Sequence, residues 1–227
     1  MRQVLVELVG EEKIDIDDLK EVLNLKDWMI ITDEEKDYLT STKLNKISDY
    51  HEIIAGANEF LYILNGLANI FNFNHKNVDT GNIKIIEDGK YNLVLMTGTG
   101  EWRTRTRGTL AGLTGKSLLE RTEDDKNIRD VAYFFKEINW WNLYKIFEII
   151  RHDVGGEKNF RNLKLIEKDK YKLFTETANS RSAIGDKARH ATPNNKKPKT
   201  DLTLKEAYKI ILQLFWNWIH YKERVST

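Results

Sequence analysis

Apolar and polar positions change their period along this chain. Val4, Val6 and Leu8 keep the two-residue period of a half-buried strand and predict one over residues 2–9. Asp15 or Asp17 is placed to cap a short helix carrying Leu19, Val22, Leu23 and Leu25. Trp28 to Ile31 reads as a short apolar strand, and 32–47 is polar with a weak strand signal. Asp49 followed by Glu52 has capping-box spacing. Ile53, Ala57, Phe60, Leu64, Leu67 and Phe71 then recur at helical spacing and define one buried stripe. Asn65-Gly66 interrupts that helix, and the bare Gly66 predicts a close helix crossing.

Residues 82–107 read as a meander. Ile83 and Ile85 lead through Asp88-Gly89 to Tyr91, Leu93 and Leu95, a hairpin with Asp-Gly at its turn. Trp102, Thr104 and Thr106 then alternate with Arg103, Arg105 and Arg107. Residues 108–128 are Gly-rich and then charged, the composition of a linker. From about 129, Val131, Phe134, Phe135, Ile138, Trp141, Phe147 and Ile150 predict one long apolar helix, stopped by Gly155-Gly156. Residues 158–178 predict a helix or paired short elements. Asp201 or Thr203 opens a last helix with Leu204, Ala207, Ile211, Leu214 and Trp218 on one face. The expected fold is α+β: an antiparallel sheet with helices over 1–115, a linker region over 108–128, and an all-helical bundle over 129–227.

Composition narrows the function classes. The 227 residues are 41% hydrophobic and 31% charged, a globular rather than a disordered balance. The chain has no cysteine, which excludes disulfides, thiolate catalysis and Cys-ligated zinc. No signal-peptide pattern opens it and no run of 18 apolar residues occurs, so the expected setting is the cytoplasm, away from membranes. The net charge of +1 hides an asymmetry. Residues 11–37 hold eleven Asp or Glu against four Lys, and residues 179–200 hold six Lys or Arg against one Asp. The acidic stretch reads as a solvated face, a repeller of nucleic acid, or a dock for the basic segment of a second copy.

The basic segment concentrates the candidate chemistry. Asn179, Arg181, Lys187, Arg189 and His190 gather donors within twelve residues, and a polar loop with Pro193, Pro198 and three lysines follows. Arginine holds a scissile phosphate and stabilises added negative charge, and histidine carries protons near neutrality. With a 2′-hydroxyl as nucleophile, such a set cleaves RNA without metal or cofactor. The alternative is a basic surface loop with a structural histidine. Arg151-His152-Asp153 falls at a predicted helix C-terminus, where the dipole and last carbonyls favour Arg and His, and where His152 offers a second proton carrier. Arg103, Arg105 and Arg107 share one strand face and either contact successive phosphates or pair with acidic neighbours. Gly112-Leu113-Thr114-Gly115-Lys116-Ser117 imitates a phosphate-binding loop, but Leu110 stands where the first glycine is required, and a flexible turn is the expectation. The histidines, at 51, 75, 152, 190 and 220, show no metal-ligand spacing, so no metal site is expected.

The long helix, the Arg-His pair after a loop and the closing apolar helix with Glu206-Ala207 make residues 129–225 resemble the all-helical HEPN superfamily. That resemblance implies a metal-independent endoribonuclease of the toxin or antiphage type, commonly dimeric. The usual motif is Arg, four to six residues, then His. Here Arg181 lies nine positions before His190, and Arg189 is adjacent to it. The expected role assignment makes His190 the general acid or base and Arg189 the phosphate clamp. Arg181, Lys187 and Asn179 then contact RNA. The rival expectation is a non-catalytic homodimeric module whose basic loop docks an acidic protein partner. Nucleotide sensing through 108–117 is a third.

Overall fold

A computed structural model of the chain describes residues 2–11, 13–23, 27–71, 75–87, 90–94, 112–188 and 202–225. They fall into two compact units, 1–136 and 137–227.

In the first unit, β1 (Arg2–Val9), α1 (Lys13–Val22), β2 (Trp28–Asp33), β3 (Lys36–Ser41), α2 (Tyr50–Phe71), β4 (Asp79–Glu87) and β5 (Lys90–Val94) follow in order. Among the described residues the strands form one antiparallel sheet of order β2-β3-β1-β4-β5. The two-residue period acts as expected: Val6 pairs with Leu39 on one side and Ile83 on the other, Val4 pairs with Ile85, and all five are buried. β4 and β5 pair antiparallel as far as Glu87 opposite Lys90, and the expected Asp88-Gly89 turn lies outside the described residues.

α2 begins as the capping pattern predicts, with Asp49 Oδ1 accepting from the Glu52 N–H at 3.0 Å. Its stripe is buried from Ile53 through Ile70. α1 starts earlier than its supposed caps. Asp15 lies inside its first turn, buried, and accepts from the Lys76 N–H at 3.1 Å.

Of the region expected to be a linker, residues 112–128 are helical apart from the cap at Asp125. α3 (Gly112–Asp124) takes in the whole Gly112–Ser117 segment, so the apparent phosphate loop is the start of a helix. Asp125 caps α4 (Lys126–Phe135), accepting from Asn127 and Ile128 N–H groups. α3 and α4 pack on α2 and belong to the first unit. The α2–α4 crossing is the one Gly66 announces: a Cβ on Gly66 would lie 1.7 Å from the Ala132 carbonyl oxygen.

The apolar run read as one long helix from 129 is two. The chain breaks after Phe135, and Asn139 caps α5 (Trp140–Asp153) by accepting from the Asn142 N–H at 2.8 Å. Trp141, expected on the buried face, is 51% exposed, and its neighbour Trp140 is buried instead. The second unit continues with α6 (Glu157–Leu163), α7 (Lys168–Ala178), α8 (Arg181–Ile184), a 3-10 turn at Gly185–Lys187, and α9 (Leu204–Val225). Its core is aromatic. Phe147 meets Phe160 edge-on at 5.5 Å and Phe174 at 5.9 Å, and Tyr144 stacks on Phe174 at 6.1 Å. Each such ring contributes about 1.5–3 kcal/mol by burial. Thr203 and Glu206 form a reciprocal capping box at the start of α9. Among the described residues no helix is long and apolar enough to cross a membrane.

Candidate functional site

The last turn of α5 sends three consecutive polar side chains in three directions, because successive residues on a helix are separated by about 100°. Asp153 turns toward α9. Its Oδ2 accepts from Trp218 Nε1 and from Lys222 Nζ, each at 2.8 Å, and Trp218 is fully buried. Asp153 is therefore a packing residue that fastens α9 to α5. Arg151 lies across the Phe147 ring, its guanidinium carbon 5.3 Å from the centroid, and approaches Glu157 at 3.5 Å. His152 points into solvent, and its ring has no hydrogen-bond or ion-pair partner among the described residues.

Gly155 and Gly156 then take φ of +91° and +87°, a conformation side chains disfavour, and the chain reverses into α6. The reversal builds an open groove of about 830 Å3 within the second unit. α5 supplies Tyr144, Phe147, Glu148, Arg151 and His152 to its walls. α6 adds Glu157 and Arg161, and α7 adds Lys168, Tyr171, Lys172, Thr175 and Glu176. The α7 residues 168, 171, 172 and 175 share one helix face. Charge in the groove is mixed. Glu157 faces both arginines, at 2.6 Å from Arg161 and 3.5 Å from Arg151, and Glu176 lies 3.8 Å from Lys172. Lys168 has no ion-pair partner among the described residues and is exposed. The exposed face of α5 leading to His152 carries Trp141 and Lys145.

Of the sequence-derived candidates, His152 lines this groove, whereas Arg181, Lys187 and Asn179 do not. Arg181 is ion-paired to Asp186 at 2.6 Å on the exposed α8 turn. Lys187 is exposed at the end of the 3-10 turn. Asn179 caps α7 and donates Nδ2 to the Thr175 carbonyl at 2.8 Å, and its Oδ1 is buried with no hydrogen-bond partner. Arg189, His190, Arg103, Arg105 and Arg107 lie outside the described residues. Sequence reasoning passed over Arg161, Lys168, Tyr171 and Lys172. The signal available for the three on α7 was the i, i+3, i+4, i+7 face from 168 to 175, and none marked Arg161.

In the first unit the ionisable cluster is buried and structural in form. His75 Nε2 is 3.0 Å from Asn65 Oδ1, and its Nδ1 lies 3.7 Å from Asp18 and 3.9 Å from Asp15. Asn65 Nδ2 donates to the Val78 carbonyl and Oδ1 accepts from the Val78 N–H, which fixes the amide orientation and makes His75 Nε2 the donor. Among the described residues no group of three His, Asp or Glu is arranged to hold a metal ion.

No protein-family model, characterised protein or solved structure matches this chain.

Proposed function

We propose that the second unit acts on RNA. The observation that carries this reading is the exposed, unpartnered His152 ring on a groove whose three walls supply Arg151, Arg161, Lys168 and Lys172. Cationic side chains from different helices hold successive phosphates, and the exposed Trp141 on the same α5 face gives a base a ring to stack on. In this reading His152 is a second proton carrier beside the substrate. His190 is the general acid or base, Arg189 clamps the phosphate, and the exposed Arg181 and Lys187 contact substrate beyond the groove, whereas Asn179 is taken up by its cap on α7. The 2′-hydroxyl gives its proton to one histidine and attacks the adjacent phosphorus, the P–O5′ bond breaks, and the other histidine protonates the leaving 5′-oxygen, so the step needs no metal.

The test pairs binding with cleavage. Fluorescent single-stranded RNA is titrated with the protein at several salt concentrations, and mixed RNA is incubated with it in EDTA. The expected result is salt-dependent binding that Lys168→Ala and Lys172→Ala each weaken, with a shallower salt slope, and cleavage that His190→Ala and His152→Ala abolish or slow. Binding without cleavage reduces the reading to an RNA-binding module, and salt-independent or absent binding ends it. His152→Ala is a clean probe because an exposed, unpartnered side chain contributes within about 0.5 kcal/mol to stability.

One observation favours a second reading, a non-catalytic interaction module that dimerises or docks a charged protein segment. Glu157 already faces both groove arginines, so the groove presents alternating charge rather than a cationic track. A stable dimer with no RNA affinity, measured by light scattering beside the same titration, is the outcome that selects it.

A further inference from the structure

A second cleft lies wholly within the first unit, and the RNA reading makes no use of it. Its volume is about 340 Å3, at the small end of the range for small-molecule sites. Trp28 and Phe60 line it as a pair stacked on each other, their rings parallel to within 9° and 3.9 Å apart between centroids. Leu44 and Ile63 add aliphatic walls, and all four side chains are buried.

Gly56, in the second turn of α2, lines this cleft. Glycine is the poorest helix former after proline, so an interior helix glycine calls for a reason. Gly66, one further along the helix, has one in the Ala132 carbonyl against it. Gly56 does not. It needs no left-handed backbone, and a Cβ there would meet only Leu44 Cδ2, at an ordinary contact distance of 3.6 Å. What the missing side chain does is leave bare helix backbone on the cleft wall, where a ligand can approach closely.

The rim fixes the kind of ligand. Lys43 is 3.7 Å from Glu123. Arg129 spends Nε and Nη2 on the Thr122 and Glu123 carbonyls, at 2.9 and 3.1 Å. With Glu59 on the same rim the charges cancel, two against two, so a charged ligand gains no net attraction. Glu59 is exposed and has no ion-pair or hydrogen-bond partner among the described residues, which leaves its carboxylate to accept a hydrogen bond.

We propose that this cleft is a binding site for a neutral, planar heteroaromatic molecule of one or two fused rings, seated beside Gly56 against the edge of the stacked Trp28–Phe60 pair and donating a ring N–H to Glu59. Indole is the probe, with naphthalene as the same shape lacking the N–H, and indole-3-acetate and tryptamine as the charged relatives. Each is titrated into isotopically labelled full-length protein and followed by amide chemical shifts. Indole is expected to give saturable shifts confined to residues around Gly56, Glu59 and Ile63, with naphthalene and both charged relatives at least fivefold weaker. Gly56→Leu fills the cleft and should weaken indole at least tenfold. Glu59→Ala, on the exposed rim, removes the acceptor, keeps the fold and should bring indole close to naphthalene, so the proposal stays testable if the leucine variant does not fold. Absence of saturable shifts at millimolar indole overturns the proposal. So does an indole affinity unchanged in both variants, or a preference for either charged relative.

Discussion

Single side chains hold the first unit together where the backbone would otherwise be left unpaired. Asn65 sits inside an apolar helix, 1% exposed, and does for Val78 what a neighbouring strand would do, donating to its carbonyl and accepting from its N–H. Removing the amide strands both Val78 groups and the His75 ring in a dry setting, at about 1–3 kcal/mol for each buried group. Asn65→Ala is therefore expected to destabilise the protein by about 3 kcal/mol or more, read from the midpoint of urea unfolding. Gly66 gives a steric counterpart. Any Cβ there meets the Ala132 carbonyl at 1.7 Å, so Gly66→Ala must push α4 off α2. We expect a loss of about 3 kcal/mol, opposite in sign to the usual gain from replacing a helix glycine. A variant at least as stable as the parent in thermal unfolding would refute the crossing. The glycine's role was legible in the sequence because a glycine inside a strongly apolar stripe has few other uses. The asparagine's was not, since its partner lies thirteen residues away in a segment with no periodic signal.

At the scale of elements, the hairpin between β2 and β3 departs from the residues its geometry prefers. Asp33 pairs with Lys36, leaving Glu34 and Glu35 as a two-residue connection, and both have positive φ, +48° and +65°. That turn favours Asn-Gly, because side chains crowd the backbone in the left-handed region. Replacing Glu34-Glu35 by Asn-Gly should stabilise the protein by about 1 kcal/mol, visible as a higher melting temperature with an unchanged circular dichroism spectrum. This mismatch also explains why 32–47 gave only a weak strand signal: two glutamates do not announce a turn. The division of the expected long helix has a similar origin. Phe134, Phe135, Ile138 and Trp141 keep a helical apolar period straight through the break, and only Asn139, as a cap, marks it. The antiparallel β4–β5 pairing and the Asp49 cap of α2 follow local rules and were readable. The extension of α3 across 112–117 was hidden by the glycines that open it.

At the scale of the whole molecule, each unit has its own core, and the ionic contacts of the first give it a defined response to acid. Burial pushes the Glu7 carboxyl up, but the Lys36 ammonium at 2.8 Å and the Asn82 N–H groups outweigh it and hold Glu7 below its ordinary value. Asp37 behaves alike, burial opposed and exceeded by Lys20 at 2.7 Å and the Thr32 hydroxyl. A lowered folded-state value means stability that is present above the unfolded carboxylate range and is lost as pH falls through the lowered values. The urea midpoint should therefore drop from about pH 4.5 downward and stay flat from there to neutrality as far as these two groups are concerned. Asp37→Asn should make the acid fall shallower, and an equal fall in parent and variant would remove Asp37 from the account. What the sequence by itself determined is the α+β class, the strands that alternate, the stripe and cap of α2, and a histidine at the end of an apolar helix. Those depend on periods of two and 3.6 and on caps a few residues long, which are local. Only the tertiary structure decided that α3 and α4 join the sheet-bearing unit, that Asp153 turns away from His152 to hold α9, and that Arg161, Lys168 and Lys172 share a groove with it. Those facts depend on where the chain folds back after Gly155-Gly156 and on which neighbour each face meets, and no local period encodes that.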